Sequence, residues 1–169
     1  SGGAHCLKYG VTTNNVLGVK MVLMDGSVVE IGGPHLDPEG YDLLALIIGS
    51  EGQLGIVTEA TVRILRQAEG ARPMLIGFES TGKASICVSR IIASGIVPVA
   101  IEFMDKPAIE ICEAFAKAGY PLNVEALLIV EVEGSDEEMA DRLGYIAGIA
   151  QELHPAALVI SADEAQSAK

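Results

Sequence analysis

The stretch with the most evident capacity for chemistry is Gly49-Ser50-Glu51-Gly52-Gln53-Leu54-Gly55-Ile56-Val57-Thr58. An apolar helical run ends at Gly49 and a β-type alternation begins at Leu54. Glycine costs backbone entropy, so several within ten residues point to positive φ or to a backbone that a flat group approaches closely. A strand-opening loop of this kind can aim N–H groups at a phosphate or a ring edge. An ordinary helix-to-strand turn would use the same residues. The other reactive residue types do not gather at working spacing. His35 and His154 have no partners at metal-ligand spacing and read as surface residues. Cys87 and Cys112 fall on apolar helix faces and read as core. Glu102, Glu131 and Glu133 lie in strands among apolar neighbours. Paired carboxylates can hold a metal or do acid–base work, but a solvated sheet face is the simpler account. The run Asp136-Glu137-Glu138 suits a helix N-terminus.

The elements that must position these residues fall into two groups. Ser1 to Tyr9 is a loop, followed by a strand with Leu17, Val19, Met21 and Leu23 on one face. Asp25-Gly26 before Val28-Val29-Glu30-Ile31 predicts a hairpin, and Gly32-Gly33-Pro34 ends its second strand. A short helix is expected at about 41–48, capped by Asp37 or a near neighbour and closed by Gly49. In the strand beyond, Leu54, Ile56, Ala60, Val62 and Ile64 are expected to face the core. Residues 67–72 are small and polar, the best candidate for a linker. After it come strands at about 74–78, 97–104, 127–133 and 157–161, with helices at about 83–94, from Asp105, and from Ser135. Ser135 with Glu138 forms a capping box ahead of the apolar face Met139, Leu143, Ile146, Ala147, Ala150 and Leu153. The order β-α-β-α-β-α-β predicts an α+β layer, a sheet with its helices on one face.

Composition limits the classes of partner. Half of the 169 residues are hydrophobic, enough for one domain or two small ones. The net charge is −12, with −3 in residues 1–66 and −9 in residues 67–169, which argues against nucleic acid and anionic membrane. Aromatic residues are 4% and Trp is absent, so stacking platforms for single strands are not expected. No run reaches the roughly 18 apolar residues of a membrane span. Three cysteines without CxxC spacing fit neither a disulfide framework nor a zinc site, and suggest the cytoplasm. Both ends look cut, and the chain reads as a piece of a longer one.

Four motifs standing in order give a resemblance. They are Ser1-Gly2-Gly3-Ala4-His5-Cys6-Leu7-Lys8-Tyr9-Gly10, Val16-Leu17-Gly18, Gly40-Tyr41-Asp42-Leu43 and the Gly49–Thr58 stretch. Together they resemble the second part of the flavin-binding domain of the vanillyl-alcohol-oxidase-type flavoproteins. The glycolate oxidase flavoprotein subunit and the D-lactate dehydrogenases are the most similar branch. Residues 1–66 then correspond to the C-terminal part of the FAD-binding domain, and residues 73–169 to the start of the family's C-terminal cap domain. The resemblance implies non-covalent FAD, with Ser1, Gly2 and Gly3 as backbone neighbours of the flavin and its pyrophosphate. It places Tyr9 and Gly10 near the same loop, and Glu51, Gly52, Gly55 and Ile56 along the cofactor. Covalent tethering through His5 or Cys6, as in some of the wider superfamily, is not expected in this branch. The implied reaction oxidises a small 2-hydroxy acid, glycolate or D-lactate, to the 2-oxo acid. Implied partners are other oxidase subunits or an electron acceptor, and a homo-oligomer is compatible. The family's pyrophosphate loop and its later His and Arg groups have no counterpart in these residues, so catalytic residues are expected outside them. A non-catalytic α+β module that binds a small effector or a partner chain remains the alternative.

Overall fold

The computed structural model describes residues 3–34 and 40–161. Ser1, Gly2, His35 and Asp37 therefore lie outside the described residues, as do 162–169. The chain divides into two compact units, Ser1–Arg66 and Gln67–Lys169.

The first unit holds two one-turn helices, α1 (Cys6–Tyr9) and α2 (Thr12–Asn15), then strands β1 (Val16–Val22) and β2 (Val28–Gly32). Helix α3 (Leu43–Ile47) and strand β3 (Ile56–Val62) follow. The strands form one antiparallel sheet in the order β2-β1-β3. The Asp25-Gly26 turn closes as expected. Gly26 takes φ 83°, and the Asp25 carboxylate accepts from the Ser27 amide at 2.9 Å and its hydroxyl at 2.6 Å. Those two donors favour the ionised form and lower the Asp25 pKa. The cap of α3 is Asp42 rather than Asp37, its carboxylate accepting from the Ala45 amide at 2.9 Å. Among the described residues Val19, Met21, Leu44 and Ile47 form the buried hydrophobic cluster, so α3 covers the sheet over β1 and β2.

Strand β3 departs from the expected half-burial. It starts at Ile56, and all seven of its residues are exposed, Ile56 at 70% and Val62 at 52%. Its ladder with β1 shifts register twice, between Val16 and Gly18 and between Lys20 and Met21, which breaks the strict alternation. No described helix covers this edge strand, so a periodic apolar pattern does not translate into burial.

In the second unit, β4 (Gly70–Phe78), α4 (Thr81–Ala93), β5 (Ala100–Asp105) and α5 (Lys106–Ala116) come first. Strand β6 (Ala126–Gly134), α6 (Asp136–Gln151) and β7 (Ala157–Ile160) complete it. Gly70, Ala71 and Arg72, within the expected 67–72 linker, are ladder residues of β4 opposite Gly134, Glu133 and Val132. The sheet order is β5-β6-β4-β7, antiparallel throughout. Strands β4 and β5 flank β6, and β6 and β7 flank β4, so β4-α4-β5 and β6-α6-β7 are two interleaved split β-α-β units. Met74, Ile76 and Phe78 on β4 and Leu128, Val130 and Val132 on β6 pack with Cys87 and Ile91 of α4 and Leu143 and Ile146 of α6. Helices α4 and α6 thus share one face, as the pattern predicts. Helix α5 does not join them. Its Ile109 packs with Leu127, Leu75 and Met104, strand positions of the opposite parity. The layer is α+β with one helix on the other face.

Candidate functional site

The loop between α3 and β3 turns left-handed four times in seven residues, at Gly49 (φ 90°), Glu51 (54°), Gly52 (80°) and Gly55 (148°). The Ser50 amide donates to Ile47 O and the Gln53 amide to Ser50 O, each at 3.0 Å, which closes two successive turns. Glu51 and Gly52 are exposed, and space is open around Gly52. Gly55 has a reason of its own inside the sheet. A Cβ there would lie 2.6 Å from Val22 O and against the Met21 side chain. Ile56 follows at the head of β3, exposed.

The N-terminal residues gather at the other end of that strand. Gly3 and Gly10 line a cavity of about 440 Å³ with Cys6, Thr12, Asn15 and Arg63. The Gly3 amide donates to Cys6 Sγ at 2.9 Å, and the Gly10 amide to Cys6 O at 3.0 Å. The Asn15 amide nitrogen donates to Tyr9 O at 2.9 Å and Val11 O at 3.0 Å, so Tyr9 adjoins the cavity through its carbonyl. Asn15 Oδ1 accepts from Arg63 Nη2 at 3.1 Å. Val62, at the last position of β3, also lines the cavity, while Ile56 is its first residue. At about 3.3 Å per residue, some 20 Å separate the two ends. The candidate residues therefore form two clusters on one strand, Gly3, Tyr9 and Gly10 at one end and Glu51, Gly52, Gly55 and Ile56 at the other.

Asn15, Thr12 and Arg63 escape the sequence reading. Arg63 falls between Val62 and Ile64, two residues expected there to face the core. It meets Asn15 because Val16 pairs with Val62 across β1 and β3, a register that no local pattern reveals.

The other candidate groups do not assemble. Cys87 is buried, and burial pushes its thiol up to about 11. Cys112, expected in the core, is exposed on α5, because α5 turns Ile109 inward. Glu131 and Glu133 are half-buried and Glu102 is exposed. Among the described residues no three His, Cys, Asp or Glu side chains could share a metal ion. No helix among them is long and apolar enough to cross a membrane.

Residues 68–169 match the family model described as FAD linked oxidases, C-terminal domain. The chain belongs to the FAD-linked oxidases. It is 40% identical over 166 residues to the glycolate oxidase subunit GlcD of Escherichia coli (strain K12), covering 98% of this chain and 33% of that protein. It is 37% identical over 153 residues to the D-lactate dehydrogenase of Archaeoglobus fulgidus, covering 86% of this chain and 34% of that one. The chain thus spans about a third of the length of these curated relatives. Among solved structures, an alkyldihydroxyacetonephosphate synthase superposes with a TM-score of 0.77 at 20% identity, covering 97% of this chain and 32% of that chain. A p-cresol methylhydroxylase superposes with a TM-score of 0.66 at 14% identity, covering 92% and 37%. At those identities the likeness concerns the fold alone.

The geometry of the first unit bears on a flavin nucleotide. A cavity of this volume lies within the range of small-molecule sites. It offers backbone at Gly3 with open space around it and a guanidinium for an anion. The residues present fit part of such a group.

Proposed function

We propose that this chain is part of an FAD-dependent oxidoreductase that oxidises a small 2-hydroxy acid, glycolate or D-lactate, to the 2-oxo acid. The observation that carries this reading is the 40% identity to a glycolate oxidase subunit along 98% of the chain. Residues 1–66 supply part of the FAD-binding domain, and residues 73–169 part of the cap domain.

Bound non-covalently, the flavin supplies an acceptor for the hydride that leaves the substrate α-carbon. This chain's residues bind and orient it. Ser1, Gly2, Gly3, Tyr9 and Gly10 present backbone near one part of the nucleotide. Glu51, Gly52, Gly55 and Ile56 line another part, with Ile56 contributing main-chain groups. An extended dinucleotide suits two clusters at opposite ends of one strand. The base that removes the hydroxyl proton belongs to segments beyond these 169 residues. The partners are further oxidase subunits or an electron acceptor, and the location is the cytoplasm.

The test is anaerobic reduction of the intact protein. A yellow preparation whose flavin absorbance bleaches on adding glycolate or D-lactate, and not L-lactate, is expected. A colourless protein that takes up no added FAD would overturn the reading in favour of an effector-binding or partner-binding module. A yellow protein that no 2-hydroxy acid bleaches would keep the flavin and overturn the substrate.

A further inference from the structure

One cationic side chain, Arg63, lines the cavity of the first unit. Residues 1–66 hold four basic side chains, Lys8, Lys20, Arg63 and Arg66. Lys20, on the central strand, is matched across the sheet by Glu30 at 3.5 Å and Glu59 at 3.6 Å. Lys8 lies 5.6 Å from the centre of the Tyr9 ring. Arg63 differs from both. Its guanidinium donates through Nη2 to a neutral acceptor, Asn15 Oδ1. Among the described residues no carboxylate lies within ion-pair distance of it. Arg63 is exposed, so an amide partner leaves its charge open to an anion that enters the cavity.

Arg63 is also held in place. Its backbone amide donates to Asn15 O at 2.9 Å, and its side chain reaches the same residue's Oδ1 at 3.1 Å. Asn15 is fixed in turn, because its amide nitrogen donates to Tyr9 O and Val11 O, the two residues that flank Gly10. One asparagine thus ties the Gly10 loop to the guanidinium at the end of the neighbouring strand. A guanidinium carries five N–H donors in a planar fork suited to paired phosphate oxygens. One nitrogen is engaged by Asn15, so donors remain for the cavity, which Thr12 and Gly3 also line.

We propose that Arg63, oriented by Asn15, binds the phosphates of the flavin nucleotide in this cavity, with Asn15 as the positioning residue. The proposal rests on the flavin reading above and adds to it which residues meet the anionic part of the cofactor. A substrate carboxylate offers similar oxygen chemistry, so the test must separate the two sources.

The intact protein, stripped of flavin, would be titrated with FAD, FMN and riboflavin by fluorescence, and with glycolate and inorganic pyrophosphate by calorimetry. The first variant is Arg63→Gln, which removes the charge and keeps an amide donor for Asn15. Loss of a charge-assisted hydrogen bond predicts FAD and FMN affinities weaker by about 10- to 100-fold, with riboflavin, which has no phosphate, changed less than about 2-fold. Arg63→Lys is expected to recover part of the loss, and raising salt to weaken FAD binding in the parent more than in Arg63→Gln. Equal weakening of riboflavin and FAD would make Arg63 a structural residue and overturn the proposal, as would unchanged FAD affinity. Loss of glycolate binding alone would assign the cation to the substrate instead. If Arg63→Gln fails to fold, Arg63→Lys and competition between pyrophosphate and FAD in the parent decide, and an absence of competition overturns the proposal. A parent that binds no flavin but binds pyrophosphate through Arg63 would sink the flavin reading and leave the anion site. Binding neither would sink both.

Discussion

Glu51 is the one residue with a side chain among the four left-handed positions between Gly49 and Gly55. For an L-residue that conformation costs about 1 kcal/mol. Glu51→Gly should therefore raise stability by about 1 kcal/mol, read from denaturant unfolding of the protein. Measuring bound flavin on the same variant separates two roles. A more stable protein with less flavin would give the carboxylate a ligand-side task, and one with unchanged flavin would leave it a turn residue. Destabilisation would refute the strain argument. Gly55 behaves in the opposite sense. At φ 148° and with Val22 O 2.6 Å from the site of any Cβ, Gly55→Ala should cost about 2–3 kcal/mol whether or not a ligand is present. Unfolding of the flavin-free protein tests this, and an unperturbed midpoint would mean that the β1–β3 pairing gives way cheaply. Glycines that look alike in sequence thus have different causes. Gly55 is required by a neighbouring strand, whereas Gly52 has open space around it.

Helices show which signals are legible in sequence and which are not. The box at the head of α6 is, because it closes within four residues. The Ser135 amide donates to the Glu138 carboxylate at 3.0 Å, and the Glu138 amide to Ser135 Oγ at 3.3 Å. The start of α5 is equally local, with the Asp105 carboxylate accepting from the Ala108 amide at 3.0 Å and Pro107 in the first turn. Its end is less so. The helix closes at Lys117 in a left-handed conformation, and the Glu113 carboxylate accepts from the Gly119 and Tyr120 amides at 2.9 and 2.8 Å. Helix faces are harder still. Cys87 and Cys112 sit on similar apolar patterns, yet α4 is pressed into the sheet and α5 buries chiefly Ile109. The consequence for Cys87 is a pH dependence. Burial desolvates its thiolate and raises the pKa from 9.0 to about 11, with the Arg90 charge acting weakly the other way. The unfolded chain therefore loses this proton first as pH rises. Stability from the buried thiol is whole below about pH 9, falls between about 9 and 11, and levels off above. The loss is on the order of 3 kcal/mol, at about 1.4 kcal/mol per unit. Other groups titrate in the same window, so the measurement is the difference between the parent and Cys87→Ala. The difference should shrink by that amount across the window, and a constant difference would mean that solvent reaches the thiol.

At the scale of the whole chain the two units differ in how much apolar surface they bury for themselves. The second centres on a cluster of fifteen buried residues drawn from β4, β6, α4 and α6. Among its described residues the first clusters four buried hydrophobic ones, Val19, Met21, Leu44 and Ile47, and leaves Ile56, Val57 and Val62 of β3 exposed. The element order of both units is legible in the sequence because hairpin, cap and breaker signals are local. The burial of β3 and the side occupied by α5 are not, because each depends on a layer that local periodicity cannot specify. The same non-locality hides the Asn15–Arg63 contact, which joins residues 48 positions apart. Local opening follows burial, since segments with little packed apolar surface separate at low free energy. Amide exchange of these 169 residues should therefore find the slowest protons in β4 and β6, the two central strands of the second sheet, and in the buried faces of α4 and α6. In the first unit β1 should be the most protected, being paired on both sides. Strand β3 should exchange quickly, because among the described residues it pairs with β1 alone, through a ladder with two register shifts, and all its side chains are exposed. An exposed edge with apolar side chains also recruits other chains, so protection of β3 should rise with protein concentration if copies pair along it. Slow exchange across β3 in a dilute monomer would show that the strand is stabilised by something other than its own packing, and would overturn the ranking of the two units.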